Sequence, residues 1–403
     1  MRTAIVHYWL VGMRGGEKVL EGLCELYPDA DIFTHVVVPE AISPRLAEHT
    51  IRTSFIANLP RAHVMYKKYL PLMPLALEHL DLRDYDLIIS SESGPAKGII
   101  PPPGALHVCY CHSPMRYIWN MYHDYRASAG RITRLSMPFM AHYLRNWDQT
   151  SAARVDKFVA NSRNVADRIR KYYRREAAVV HPPVDVDAFS AVPAPEVGDH
   201  YLMVGELVRY KRPDLAVSAF NASGRKLVVI GGGEMLAELR GLAGPNVEIM
   251  GPQPFEVLRF HYAHCRGLIF PGEEDFGIVP VEAMASGRPV IAYDRGGATE
   301  TVVDGSTGVL FQEQTVDALN AAVEQLETSS FDPAQIAFHA RQFSRSQFKQ
   351  QMQDAVRAAF ATQRGEREAY AVVPARPRLR AAGELPPFAV EPQASLSPRA
   401  ARS

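Results

Sequence analysis

A chain of 403 residues is longer than a single hydrophobic core ordinarily serves, so two domains are expected. Hydrophobic residues make up 47% and charged residues 22%, the balance of a soluble globular protein. Lys and Arg number 44 and so do Asp and Glu, which leaves no overall charge to attract a nucleic acid. The N-terminus "MRTAIVHYWL" is too short and polar for a signal peptide and is predicted as a first buried strand. A Gly-rich loop, "GMRGGEKV", follows it, and then the helical pattern "VLEGLCELYP". "YDLIIS" opens a second strand–loop unit and "ALHVCYCHSP" a third, and "VDKFVANS" leads into the helix-like "RNVADRIRKYY". After the Pro-rich break "VHPPVDVDAF" the rhythm resumes with "HYLMVGEL", "KLVVIGGGE", "NVEIMGPQ", "RGLIFPG" and "RPVIAYDRGG". Continuous apolar runs that alternate with helical stretches predict parallel strands in βαβ units. Two such sets predict an α/β protein of two doubly wound domains, residues 1–185 and 186–345. Their strand ends would face one another across a ligand cleft.

A helix is expected over 346–369, and the Pro-, Ala- and Arg-rich tail 370–403 has the composition of a disordered segment. Cys24, Cys109, Cys111 and Cys265 lack the spacing of common zinc or redox sites and are expected to be reduced, buried thiols of a cytosolic protein. No apolar run reaches the roughly 18 residues of a spanning helix, so any membrane role would be peripheral.

Four stretches carry chemistry. Gly15 and Gly16, between the first strand and its helix, suit either a tight turn or a close approach of backbone N–H groups to an anion. His112, in "CYCHSPMRYIW", is either a core-edge histidine with satisfied nitrogens or a cleft residue at a strand's carboxyl end. Lys211, between Arg209 and Arg212, forms either a solvated basic turn or a diphosphate site. The strongest signal is "GEEDFGIVPVEAMASGRPVI". Glu274 falls in a loop and Glu282 in the first turns of a helix that Gly287 ends, with Gly277 leaving backbone amides open nearby. A carboxylate grips a diol well, and charged hydrogen bonds of this kind contribute roughly 1.5–3 kcal/mol each. Helix capping is a second reading for Glu282, but it accounts for neither Glu274 nor the glycines.

The Glu274-to-Glu282 spacing resembles that of the retaining GT-B glycosyltransferases of family 4. So do Gly15–Gly16, "CHSP" at His112, "YKRPDL" around Lys211, "GGGE" at 231–234 and "DRGGATETVVDGSTGVLF". The similarity spans about residues 1–360, and its narrower flavour, in "GMRGGEKVLEGLCELYPDADIFT" and "HVCYCHSPMRYIWNMYHDY", is that of bacterial O-antigen and exopolysaccharide mannosyltransferases. The resemblance implies a GT-B fold, with an acceptor-side first domain, a donor-binding second domain and a C-terminal helix packing back on the first. It implies that Glu274 holds the donor sugar, that Asp275, Phe276 and Gly277 add loop backbone donors, and that Glu282 takes the ribose diol. It further implies that Lys211 neutralises the diphosphate with Gly16 backbone beside it, that His112 meets the sugar near its reacting end, and that the turn at Gly251 passes the base. One departure stands out: the family usually has Arg where this chain has Glu206, so that either Arg209 or Arg212 supplies the second cation or Glu206 turns away.

On this resemblance the chain is an α-mannosyltransferase-like hexosyltransferase that uses a nucleotide diphosphate sugar, with GDP-mannose the first choice. No metal is required, and "DVD" at 185–187 falls in the linker. The expected acceptor is a polyprenyl-diphosphate-linked saccharide at the cytoplasmic face of the membrane. "NLPRAHVMYKKYLPLMPLALEHL" and "RITRLSMPFMAHYLRNW" would rest on anionic lipid, or else pack inside the domain. The alternatives are a nucleotide-sugar epimerase of similar fold and a non-catalytic nucleotide-sugar-binding protein, the latter favoured by Glu206.

Overall fold

A computed structural model describes residues 1–371. Met1–Ala361 form one compact unit. A second unit begins at Thr362, and its described part is the end of the helix Arg345–Ala371. The tail expected over 370–403 lies, from residue 372, outside the described residues.

The first sheet has seven parallel strands: β1 (Thr3–His7), β2 (Asp31–Thr34), β3 (Ile51–Thr53), β4 (Leu87–Glu92), β5 (Leu106–Cys111), β6 (Lys157–Ala160) and β7 (Ala177–Val179). Their order is β3-β2-β1-β4-β5-β6-β7. The second sheet has six parallel strands: β8 (His200–Val204), β9 (Lys226–Ile230), β10 (Val247–Gly251), β11 (Leu268–Phe270), β12 (Val290–Tyr293) and β13 (Gly308–Phe311). They run in the order β10-β9-β8-β11-β12-β13. Each sheet therefore has a point where the strand order reverses, between β1 and β4 in the first and between β8 and β11 in the second. Crevices at such points are where open α/β sheets bind ligands. The architecture is that of two Rossmann-like domains.

The central strands follow from their sequences. β1, β4 and β5 are buried along their whole length because helices cover both faces, so apolar residues occupy consecutive positions. β2, β3, β7 and β13 were not anticipated. They read "DIFT", "IRT", "AAV" and "GVLF": polar residues break β2 and β3, β7 is mostly alanine, and β13 closes the glycine- and threonine-rich stretch "DRGGATETVVDGSTGVLF". All four cysteines are buried free thiols.

The chain crosses between the domains twice. The outgoing and returning segments lie side by side, bridged at Val184 and Ser344, with Val184 N–H donating to Phe343 O at 2.9 Å. Past the return, Phe348, Met352, Val356 and Ala359 put one helix face into the core of the first domain, among Ile5, Leu20, Leu23 and Tyr110. Phe348 meets Tyr110 edge to face, with ring centroids 5.7 Å apart. Arg345 adds an ion pair to Glu25 at 2.7 Å. Truncating this plug opens a cavity in a close-packed core. Phe348→Ala is expected to cost about 3–5 kcal/mol, read as a lowered urea midpoint followed by tryptophan fluorescence.

Candidate active site between the two sheets

The second domain supplies two loops at its switch point. After β8 the chain makes a tight turn, Arg209–Lys211, and Arg212, at φ 54, starts the helix Pro213–Ser223. After β11 a loop carries Glu273 to Gly277 into the helix Ile278–Ala285, with Gly277 at φ 90. The loops touch through backbone: a Cβ on Gly272 would lie 2.5 Å from Lys211 Cα and 2.9 Å from its carbonyl carbon and oxygen. On the other side Gly297 presses on the backbone of Phe276 and donates its N–H to Glu274 O at 2.8 Å. Packed between these neighbours, Lys211 Nζ and Glu274 Oε1 pair at 2.9 Å.

Glu282 lies on the helix Ile278–Ala285 and is largely buried. Tyr262 OH donates to its Oε2 at 2.8 Å, and Lys18 Nζ reaches its Oε1 at 3.4 Å. Lys18 belongs to the first domain, on the helix Gly15–Leu26, so this contact spans the cleft. Gly15 and Gly16 are the first two residues of that helix rather than part of the preceding loop. A Cβ on Gly15 would lie 3.0 Å from Ile278, and one on Gly16 would lie 2.5 Å from Tyr8 OH, so bare backbone lines this edge.

His112 follows β5 and is partly buried. Its N–H donates to Glu92 O at 2.7 Å, and its Nε2 lies 2.9 Å from Ser91 Oγ. Burial, aided by the nearby His7, pushes its pKa down to about 3 despite the opposing pull of Glu17. The ring is therefore neutral at physiological pH.

The remaining anticipated residues divide. Asp275 pairs with Arg168 and lies 3.6 Å from Arg116, and its carbonyl accepts from Ser162 Oγ at 2.6 Å. All three partners belong to the first domain, so the Asp275 side chain ties the domains together. Glu300 adds a second tie, accepting from the Arg163 and Asn164 N–H groups at 2.8 and 3.0 Å at the start of the helix Arg163–Tyr173. Phe276 is buried, its ring stacked on His181 at 5.2 Å. Gly251 ends β10 at φ 75, beyond a bulge. Arg209 pairs with Glu238 at 3.4 Å and Arg212 with Asp214 at 3.1 Å, while Glu206 faces Arg14 across the cleft at 3.8 Å. A cleft of about 1070 Å³ runs beside Lys211, lined among others by Arg116, Tyr125, Arg209, Tyr210, Glu273 and Gln314.

Sequence reasoning missed Lys18, Tyr262, Arg168 and Glu300. Lys18 was visible inside "GGEKV". Glu300 stood inside "DRGGATETVVDGSTGVLF", while Tyr262 and Arg168 lie on helices outside every motif, and only the fold brings those two in.

Two family models match the chain: Glycosyltransferase Family 4 over residues 13–188 and Glycosyl transferases group 1 over 185–343. A D-inositol 3-phosphate glycosyltransferase of Nocardiopsis dassonvillei is 30% identical over 255 residues, covering 54% of this chain and 59% of the relative. A GDP-mannose-dependent alpha-(1-6)-phosphatidylinositol monomannoside mannosyltransferase of Mycolicibacterium smegmatis is 31% identical, covering 41% and 51%. The chain thus spans about half the length of the curated relatives it matches. Among solved structures, Anabaena HepE in complex with UDP superposes with a TM-score of 0.65 at 16% identity, covering 89% of this chain and 100% of that one. Sucrose-phosphate synthase from Thermosynechococcus elongatus gives 0.66 at 20%, covering 90% and 100%. These likenesses show the shared fold.

The backbone contact at Gly272 can be tested directly. Gly272→Ala must displace the Lys211 backbone and is expected to cost about 1–3 kcal/mol. Gly12→Ala, with nothing within 4 Å of the added Cβ, should stay within about 0.5 kcal/mol. Parallel urea titrations of the two variants check this.

Proposed function

Since the chain belongs to the group 1/family 4 glycosyltransferases of GT-B fold, we propose that it moves a hexose from a nucleotide diphosphate sugar to a saccharide acceptor, with retention at the anomeric carbon. The observation that carries this reading is the Lys211–Glu274 pair at the switch point of the second sheet, with Glu282 on the adjoining helix. Two carboxylates and a cation occupy the loop and helix that follow β11 and the turn that follows β8.

In this reading Glu274 exchanges Lys211 for the hydroxyls of the donor sugar, and Lys211 moves onto the diphosphate. Glu282 likewise exchanges Lys18 for the ribose diol. The backbone at Gly15–Gly16 and Gly277 adds N–H donors, and the turn at Gly251 passes the base. The acceptor hydroxyl attacks the anomeric carbon on the face from which the diphosphate leaves. The carbon–oxygen bond to phosphate breaks, the new glycosidic bond forms, and the acceptor's proton passes to the departing phosphate oxygen. Lys211 and the backbone amides stabilise the charge that develops there. His112, neutral, meets the sugar near its reacting end. GDP-mannose is the preferred donor, supported by the mycobacterial relative, and UDP-sugars are the competing class, supported by the Anabaena complex. Arg209 and Arg212 are held by carboxylates of their own domain, which leaves cations of the first domain nearest the carboxylate at Glu206. That carboxylate is also what favours the second reading, a protein that binds nucleotide sugar without turnover.

Glu274→Ala separates these readings. It is expected to lower turnover of labelled GDP-mannose with a lipid-linked saccharide acceptor by about 100-fold or more. The thermal shift produced by GDP or UDP should be nearly unchanged. An equal collapse of nucleotide binding contradicts the role given to Glu274. Wild-type binding without transfer favours the second reading.

The acceptor is proposed to be polyprenyl-diphosphate-linked and presented at the cytoplasmic leaflet. Among the described residues no helix is long and apolar enough to cross a membrane. The helix Arg131–Ala152 buries Ala141, Leu144 and Ala152 but exposes Ile132, Leu135 and Phe139 at 87, 77 and 79%. Arg131 and Arg134 stand exposed beside this apolar stripe. In the other candidate segment Val64, Lys67 and Lys68 are exposed, while Met73, Ala76 and Leu77 are buried. Apolar side chains flanked by cations suit an anionic lipid surface. The wild type is expected to float with anionic liposomes, and a variant combining Lys67→Glu, Lys68→Glu and Phe139→Ser is expected to stay in the dense bottom layer. Failure of the wild type to float overturns the membrane contact.

A further inference from the structure

Three buried polar residues behind His112 have no part in the chemistry above. His7 closes β1, and Ser91 stands opposite it in β4, where the two are register partners. Glu17 is in the first turn of the helix Gly15–Leu26. All three are at most 2% exposed. His7 Nδ1 lies 3.1 Å from Ser91 Oγ, and Ser91 Oγ lies 2.9 Å from His112 Nε2. At the far end His7 Nε2 sits 3.6 Å from Glu17 Oε1, beyond hydrogen-bond length but with no other partner. The second oxygen of Glu17 is fixed by the Arg14 N–H at 2.9 Å. A carboxylate, an imidazole, a hydroxyl and a second imidazole thus form one line from the helix to the cleft.

We propose that Glu17 and His7 are positioning residues that act through Ser91 to fix which nitrogen of His112 carries its proton. With a single proton on the His7 ring, the chain of donors has one direction. A carboxylate facing Nε2 of His7 draws the ring proton to that nitrogen, which leaves Nδ1 as an acceptor. Ser91 has one proton to give, and it goes to His7 Nδ1. The oxygen of Ser91 is then the acceptor for Nε2–H of His112. His112 is held as the Nε2–H tautomer, with Nδ1 left as the ring's acceptor, and among the described residues no hydrogen bond is made to Nδ1. Burial raises the Glu17 pKa, and its contact with His7 and its backbone bonds more than offset that, so the carboxyl lies below its ordinary range and stays ionised. Burial alone needs only that each nitrogen be satisfied. It does not need a carboxylate at the start of the line.

The proposal rests on the reading that His112 meets the donor sugar, where a lone pair on Nδ1 would accept from a sugar hydroxyl. The test needs no turnover. In protein labelled with 15N-histidine, long-range 15N–1H spectra report the tautomer of each neutral ring, with His112 assigned by its loss in His112→Ala. The wild type is expected to show His112 as Nε2–H. Ser91→Ala and Glu17→Gln are expected to convert it to a tautomer mixture, and Ser91→Thr, which keeps the hydroxyl, to restore it. In the transferase assay Ser91→Ala should lower kcat about tenfold, with KM little changed. An Nδ1–H tautomer in the wild type overturns the proposal, as does a tautomer indifferent to Ser91→Ala. Should Glu17→Gln fail to fold, the wild-type spectrum and the two Ser91 variants still decide. A His112→Ala enzyme with the wild-type rate overturns the role given to His112 in the reaction, a result separate from the tautomer itself.

Discussion

The cleft depends on backbone meeting backbone where no side chain intervenes. The loop after β11 is clamped on one side by Gly272 against Lys211 and on the other by Gly297 against Phe276. Between these clamps Glu274 can hold its place although nothing else in the loop is regular structure. A site built on a loop is ordinarily less sharply positioned than one on a strand or helix. Here the loop borrows rigidity from two neighbours, because all three backbones approach more closely than any Cβ would allow. The glycines of "GEEDFG" and "DRGG" are therefore packing residues first, and their effect on chemistry passes through the position of Lys211 and Glu274.

The charges of the cleft are arranged in pairs. Lys211 holds Glu274, and Lys18 holds Glu282 from across the cleft. Each pair is partly buried, so an unpaired carboxylate would be costly there. In the proposed reading the sugar and ribose hydroxyls would take the place of the cations on the two carboxylates, and the diphosphate would take up Lys211. Glu206 differs: it is half-exposed, and Arg14 merely faces it from the first domain at 3.8 Å.

Much of this was legible in the sequence. The nine long apolar runs became β1, β4, β5, β6 and β8 to β12, because parallel strands covered on both faces leave continuous hydrophobic signatures. Glu274, Lys211 and His112 were placed beyond strand ends by their spacing alone, and the structure has each of them there. What escaped was of two kinds. The strands "DIFT", "IRT", "AAV" and "GVLF" gain their form from a neighbour's ladder rather than from their own composition. Lys18, Arg168 and Glu300 sit on helices whose sequences look like ordinary solvated faces, and a partner in the other domain gives each its role. Burial also escaped the sequence: one face of Arg131–Ala152 packs inward while Ile132, Leu135 and Phe139 on the same helix stay exposed.

The paired crossing at Val184 and Ser344 has a consequence for how the domains are joined. The outgoing and returning segments are joined there by one bridge and one backbone hydrogen bond, so both covalent links between the domains lie side by side. The second domain therefore leaves and rejoins the first at a single seam, and the contacts of Asp275 with Arg168 and of Glu300 with the Arg163 and Asn164 N–H groups join the two domains away from it.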